Sequence, residues 1–245
     1  MLSVYTRERG LVEAVARGIG KPGSSLSAAV EPFTLSKLFF AEGRGVDRLT
    51  QCRVLESFYD LRRDMRRFAY ASCGCELVLR TTEPSQVVPG LFEMLEGYLR
   101  AMVDSGDPEL LSCSFQLAYL RLSGLAPVLD RCVECGKEIR KGVYSAGQGG
   151  LLCEGCAAGA EVGRKLSAGT VRFLEDLAEF DLDRIRRLRL TERARRDIRA
   201  ILQSHIRYHL DLSLKSEGFL KRLVTSDIRP RTSDQRPTTD DKQGR

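Results

Sequence analysis

Cys132, Cys135, Cys153 and Cys156 are the residues whose type and spacing speak most directly of chemistry. They read R-C-V-E-C-G-K and then, after a short insert, G-G-L-L-C-E-G-C. Two C-x-x-C pairs about seventeen residues apart have the spacing of a four-thiolate zinc site. Each knuckle lets two thiolates approach one ion from a single turn, and Gly136 suits the left-handed residue such a turn needs. Four thiolates close the coordination shell and leave no place for a reactive water, so the implied zinc is structural. Disulfides would require an oxidising compartment. The chain opens M-L-S-V-Y-T-R-E-R-G, without an apolar leader, and no apolar run reaches the length of a membrane span. The expectation is therefore a cytoplasmic protein with reduced thiols and no membrane association. Cys52, Cys73, Cys75 and Cys113 lie in apolar or helical stretches and read as small core residues.

Other chemistries fit less well. Gly18-Ile-Gly20-Lys21 resembles a phosphate loop only in part: Pro22 replaces the Ser or Thr that would hold magnesium, and the upstream glycine spacing is wrong. A nucleobase deaminase needs an H-x-E or C-x-E ligand beside P-C-x-x-C, and here the fourth cysteine closes the shell. His205 and His209 stand four apart on one helix face, but His205 continues an apolar stripe, which favours a structural role. With two histidines and no tryptophan there is little material for acid–base catalysis, and an enzyme is not expected.

The net charge is +6 and the isoelectric point about 8.9, a balance that suits a polyanionic partner. The loop from Arg17 to Ser25 combines cations with glycines, so a backbone can come close to a phosphate there. Arginines are densest from Arg184 to Arg199, where a solvated helix face is the plain reading and an anion surface the alternative. Arg62 and Arg66, and Arg63 and Arg67, stack on one helix side, an arrangement that costs stability without an anion nearby.

Hydrophobic residues make up 42% of the 245, enough for a real core. Leu11–Ala16, Phe33–Phe40 and Val46–Leu55 read as short strands, and so many in so few residues suggest a small barrel. The periodicity turns helical near Asp60, through Leu61, Met65, Phe68 and Cys73, and again from Leu91 to Met102. Asp107-Pro108 opens a further helix that Gly124 closes. Ser167 caps the next, and Thr191 starts a longer one reaching about Leu214. The last twenty or so residues are polar and charged and predict disorder.

Several stretches together resemble the RecO family of bacterial recombination mediators of the RecF pathway. They are A-V-A-R-G (Ala14–Gly18) with its basic loop, E-P-F (Glu31–Phe33), and L-E-S-F followed by D-L-R-R-D (Leu55–Asp64). To these add G-L-A-P-V-L-D-R-C-V-E-C-G (Gly124–Gly136), G-G-L-L-C (Gly149–Cys153), Y-H-L (Tyr208–Leu210) and G-F-L (Gly218–Leu220). The resemblance covers roughly residues 1–220. It implies an α+β protein: an N-terminal OB-fold β-barrel over 1–57 and an α-helical domain over 58–130 and 161–224. An inserted four-cysteine zinc element covers 131–160, and 225–245 form a disordered tail. Family members carry an additional first strand and turn, so the barrel is expected to lack its first strand and the native product to be longer.

The resemblance further implies binding of single- and double-stranded DNA, annealing of complementary strands, and loading of RecA with RecR onto DNA coated by the single-stranded-DNA-binding protein, whose C-terminal tail is acidic. It places the protein in the bacterial cytoplasm at the nucleoid. Carried onto this sequence, the phosphate contacts fall on Arg17 and Lys21, with Arg7, Arg9 and Arg44 in the same domain. Phe33, Phe39 and Phe40 are candidates for base stacking or, more simply, for core. The competing reading is a zinc-containing adaptor that grips proteins with its helical surface and touches DNA weakly. A metal-dependent hydrolase would need an open metal site.

Overall fold

The computed structural model describes residues 1–19, 25–43, 45–158 and 163–227. Lys21, Arg44 and the segment 228–245 lie outside them.

β1 (Leu2–Thr6) and β2 (Gly10–Ala16) form a hairpin, paired from Leu2↔Ala14 to Thr6↔Gly10. Gly10 has φ +63, and a side chain there would collide with the Gln86 carbonyl, so the close approach of the 84–87 segment requires glycine. A short helix, α1 (Ser25–Ala29), precedes β3 (Thr34–Ala41), which pairs antiparallel with β4 (Asp47–Ser57). β4 also runs parallel to β2 over Ala14↔Asp47 to Ala16↔Leu49. The order is β1-β2-β4-β3, an open sheet with β1 and β3 as its edges. The barrel expected from the sequence is not closed among the described residues. Instead the helices lie against the sheet: Tyr5, Phe33, Leu35 and Phe58 join the helical core. Phe33 takes the left-handed conformation (φ 58) and is held there by burial and an edge-on contact with Phe68.

The helical part begins with α2 (Tyr59–Arg63) and α3 (Met65–Thr81), the latter capped by Asp64 accepting from the Arg66 and Arg67 amides. α4 (Leu91–Val103) and α5 (Pro108–Leu122) follow, α5 opening on the expected Asp107 cap and proline. Every residue of α5 from Leu110 to Leu120 is buried, which makes it the central helix. Gly74 of α3 leaves room for Tyr98, whose ring stacks on Phe115 at 4.4 Å and whose hydroxyl donates to the Tyr70 carbonyl.

A second sheet interrupts the helices. β5 (Val128–Cys132), β6 (Gly142–Ser145), β7 (Gly150–Leu152) and β8 (Arg164–Leu166), with the one-turn α6 (Glu154–Ala157), stand in the order β5-β7-β6-β8. The chain then returns to α7 (Ala168–Ala178), α8 (Leu182–Arg187), α9 (Glu192–Leu210) and α10 (Lys215–Asp227). α9 stops at Leu210 rather than near Leu214, because Asp211 turns left-handed (φ 48). α10 runs three residues into the segment expected to be disordered. Glu76 of α3 receives its start, accepting from the Lys215 and Ser216 amides and the Ser216 hydroxyl.

Candidate metal centre and nucleic-acid interface

Cys132 ends β5, Cys135 sits in the turn after it, Cys153 precedes α6 and Cys156 lies on it. Gly136 takes φ +73, as the knuckle requires, and its amide donates to the Cys132 carbonyl. The four Sγ atoms lie within 4.8 Å of one another, and none is in a disulfide. Four sulfurs about 2.3 Å from a tetrahedral ion stand roughly 3.8 Å apart; Cys135 and Cys153 are separated by 3.9 Å. The electrostatics agree. The backbone amides of Cys135 and Cys153 draw the Cys132 thiol down to about 6, and Cys153 is lowered by the Cys156 amide. Side-chain hydrogen bonds with Cys153 and Cys135 hold the Cys156 proton and push that thiol up to about 12. A thiophilic divalent cation is what this donor set fits.

The element is seated on α9 by its histidines. His205 Nε2 donates to the Leu125 carbonyl at 2.7 Å, which leaves Nδ1 to accept from the Tyr144 hydroxyl of β6 at 2.5 Å. His209 Nε2 donates to the Ala146 carbonyl at 2.9 Å. Both rings are thus occupied by structure, as the apolar stripe suggested. Cys73 and Cys113 are buried in the core; Cys52 and Cys75 are half-buried.

The cations proposed from sequence divide. Arg7 is tied to Glu93 at 3.0 Å and lies over the Phe92 ring, docking the first hairpin on α4. Arg9 pairs with Asp47 at 2.8 Å. Arg17 is exposed in the turn after β2, with no acidic partner among the described residues. Arg62 is bound to the Pro32 carbonyl, Thr34 and Ser57, so part of the 62–67 cluster serves the fold. In the 184–199 run, Arg184 pairs with Asp176, Arg195 with Asp107, and Arg199 with Glu109 at 3.4 Å.

Sequence reasoning did not single out the outer face of the β3–β4 pair. Lys37 lies opposite Arg53, and Phe39 opposite Gln51. Phe39 is 45% exposed, with Lys37 Nζ 5.5 Å from its ring centre. Arg48, neighbour to the buried Leu49, points to the same side as Phe39, while Phe40 shares the inner side with Leu49. Lys37, Arg48 and Arg53 have no carboxylate partner among the described residues. Like charges directly across a strand pair are unfavourable unless an anion lies between them. The arrangement is an aromatic platform flanked by cations, which is what stacking on a base while neutralising its phosphates requires. Only the alternation Lys37-x-Phe39 hinted at this; Arg53 joins it through a register that no local pattern reveals.

Residues 1–58 match the family model described as Recombination protein O N terminal, and residues 62–218 match Recombination protein O C terminal. The chain belongs to the RecO family. It is 38% identical over 223 residues to the DNA repair protein RecO of Pelotomaculum thermopropionicum, covering 91% of this chain and 87% of that protein. It is 36% identical over 226 residues to the DNA repair protein RecO of Symbiobacterium thermophilum, covering 90% and 89%. The protein of that name from Desulforamulus reducens is 34% identical over 233 residues, covering 93% and 90%. A role in DNA repair follows for this RecO chain.

The RecO C-terminal part also holds a cleft of about 330 Å3 between α5, α8 and the start of α9. Leu111, Ile185, Leu188, Arg186 and Arg189 line it, together with Asp107 and Arg195, which pair with each other. Among the described residues, the Arg189 guanidinium has carbonyl partners only, Arg186 and Leu188. Among the described residues, no helix is long and apolar enough to cross a membrane.

Proposed function

We propose that this chain is a recombination mediator without enzymatic activity. It binds single- and double-stranded DNA through the backbone, anneals complementary strands, and with RecR loads RecA onto DNA coated by the single-stranded-DNA-binding protein. The observation that carries the reading is the β3–β4 face, where Phe39 stands among Lys37, Arg48 and Arg53 with no acid to neutralise them among the described residues. Its chemistry is phosphate neutralisation with sequence-tolerant stacking, not base-edge readout. Residues 1–57 are read as an OB-type unit, 58–130 and 161–224 as the helical domain, and 131–160 as the zinc element. Arg17 extends the cationic surface in the turn after β2, and Lys21, outside the described residues, is proposed from the sequence as a further phosphate contact.

Cys132, Cys135, Cys153 and Cys156 would hold one Zn2+ in a closed, structural shell, which offers no position to a substrate. The cleft beside α8, lined by apolar residues and arginines, suits an acidic peptide tail such as that of the single-stranded-DNA-binding protein. The same cleft favours the second reading, an adaptor that holds proteins and touches DNA weakly. The working place is the cytoplasm, at the nucleoid.

The test is fluorescence anisotropy of a labelled single-stranded oligonucleotide over a salt series, with zinc measured on the same sample. Steep salt-sensitive binding at one zinc per chain supports the mediator. A zinc-loaded chain that ignores DNA at low salt leaves the adaptor.

A further inference from the structure

An open groove of about 810 Å3 runs between the metal-binding element and α9, and none of its lining residues belongs to the β3–β4 pair. β8 lines one side with Arg164 and Lys165, and α9 the other with Arg193, Arg196 and Ser204. Among the described residues, four cations therefore face a single carboxylate, Asp197. That carboxylate is buried, 3.0 Å from Arg164 and 4.0 Å from Arg193, and it fixes the first while only partly neutralising the second. Lys165 and Arg196 have no acidic partner among the described residues.

We propose that this groove takes the sugar–phosphate backbone of a second nucleic-acid strand while the β3–β4 face holds the first. The inference rests on the DNA-binding reading above and adds a second, separate site. Arg193 to Ser204 spans about 16 Å of helix, long enough to follow a few successive phosphates of one strand. The cations come from a strand and a helix, elements rigid enough to meet a regularly charged polymer. Of the apolar residues in the walls, Tyr144 and Ile201 are buried at 3% and 1%, and the half-buried Ala146 and Ala200 present only methyl groups, so little is offered to the side chains of an acidic peptide. Holding two strands on one chain raises the concentration of each near the other, which is what annealing needs. The metal-binding element thereby supplies half of a binding site as well as its own fold.

The test uses the full-length, zinc-loaded chain and the double variant Lys165→Glu/Arg196→Glu, with zinc content and circular dichroism checked. One equivalent of unlabelled oligo-dT occupies the first site, and a labelled oligo-dT, which cannot pair with it, reports a second binding event. The wild type shows two events. The variant keeps the first within about twofold and loses the second at least tenfold. The milder Lys165→Ala/Arg196→Ala pair lowers the salt slope of the second event by about 1.4, two single-strand phosphates at about 0.7 each. Lys165→Arg/Arg196→Lys restores it. Two unchanged events in the charge-reversed variant overturn the proposal. So does a variant that loses only a Glu- and Asp-rich peptide titrated in parallel. A wild type that binds no oligonucleotide at all refutes the DNA-binding reading itself, a result distinct from one event surviving where two were expected.

Discussion

Tyr144 and His205 supply one of the hydrogen bonds that join the metal-binding element to the helices, and both partners are buried. Tyr144→Phe removes the donor and leaves His205 Nδ1 unsatisfied, so it should cost about 1–3 kcal/mol in urea unfolding, with zinc content unchanged. His205 is held below its ordinary value by burial, with the adjacent His209 ring adding to the effect against the Leu125 carbonyl. A base depressed by folding binds its proton more readily in the unfolded chain. The contribution is therefore complete above about pH 6.5 and is lost as the pH falls below that value toward the folded pKa. Urea midpoints at pH 7.5 and 5.5 should separate more in the wild type than in His205→Gln; equal separations would refute the assignment. At this scale the cysteines were legible because ligand chemistry dictates their spacing. The partners of His205 were not, since Leu125 and Tyr144 lie 80 and 61 residues away.

The elements with local signatures were the ones legible in the sequence. Asp64, Asp107, Ser167 and Thr191 all accept from amides of the helices they start, and the last three were named from sequence as a cap or a helix start. α10 carries a different kind of start: its first amides are held by Glu76, 139 residues away for Lys215, so nothing local announces it. Burial alone would raise the Glu76 carboxyl, but the Ser216 and Lys215 amides, the Ser216 hydroxyl and Arg80 outweigh it and hold the group below its usual value. Glu76→Ala should destabilise by about 0.5–2 kcal/mol, like the loss of a cap. Amide exchange should quicken across Lys215–Leu220 first. Metal removal acts on another element. A chelator should expose β5–β8 to protease while the amides of α5, at the centre of the bundle, stay protected.

Over the whole molecule, charge is distributed by use. Arginines that join parts of the fold, such as Arg7, Arg9 and Arg195, have carboxylate partners. Lys37, Arg48 and Arg53 on the sheet, and Lys165 and Arg196 in the groove, have none among the described residues. Lys37→Ala/Arg53→Ala should weaken oligonucleotides of every sequence alike and reduce the salt slope by about 1.4. It should leave thermal stability level or slightly higher, since a repulsive cross-strand pair is removed. A fall in stability with unchanged DNA affinity would show that the pair serves the sheet. The composition was compatible with a polyanionic partner, but it could not tell joined cations from unpartnered ones. That distinction depends on which acids tertiary folding brings near, and a local pattern is silent on it.

The metal-binding element leaves the bundle after α5 and returns at α7, and those two helices touch directly, the Ser114 hydroxyl donating to the Leu177 carbonyl at 2.6 Å. On the ribosome this imposes an order. α3, α4 and α5 emerge first, with the most buried helix of the molecule still lacking α7 and α9. The cysteines come out next, while that apolar surface is uncovered. An element that closes on its metal at this stage brings the two ends of its own loop together and delivers α7 to the waiting face of α5. Metal shortage during synthesis would then appear as aggregation of nascent chains, well before any finished molecule lost its ion.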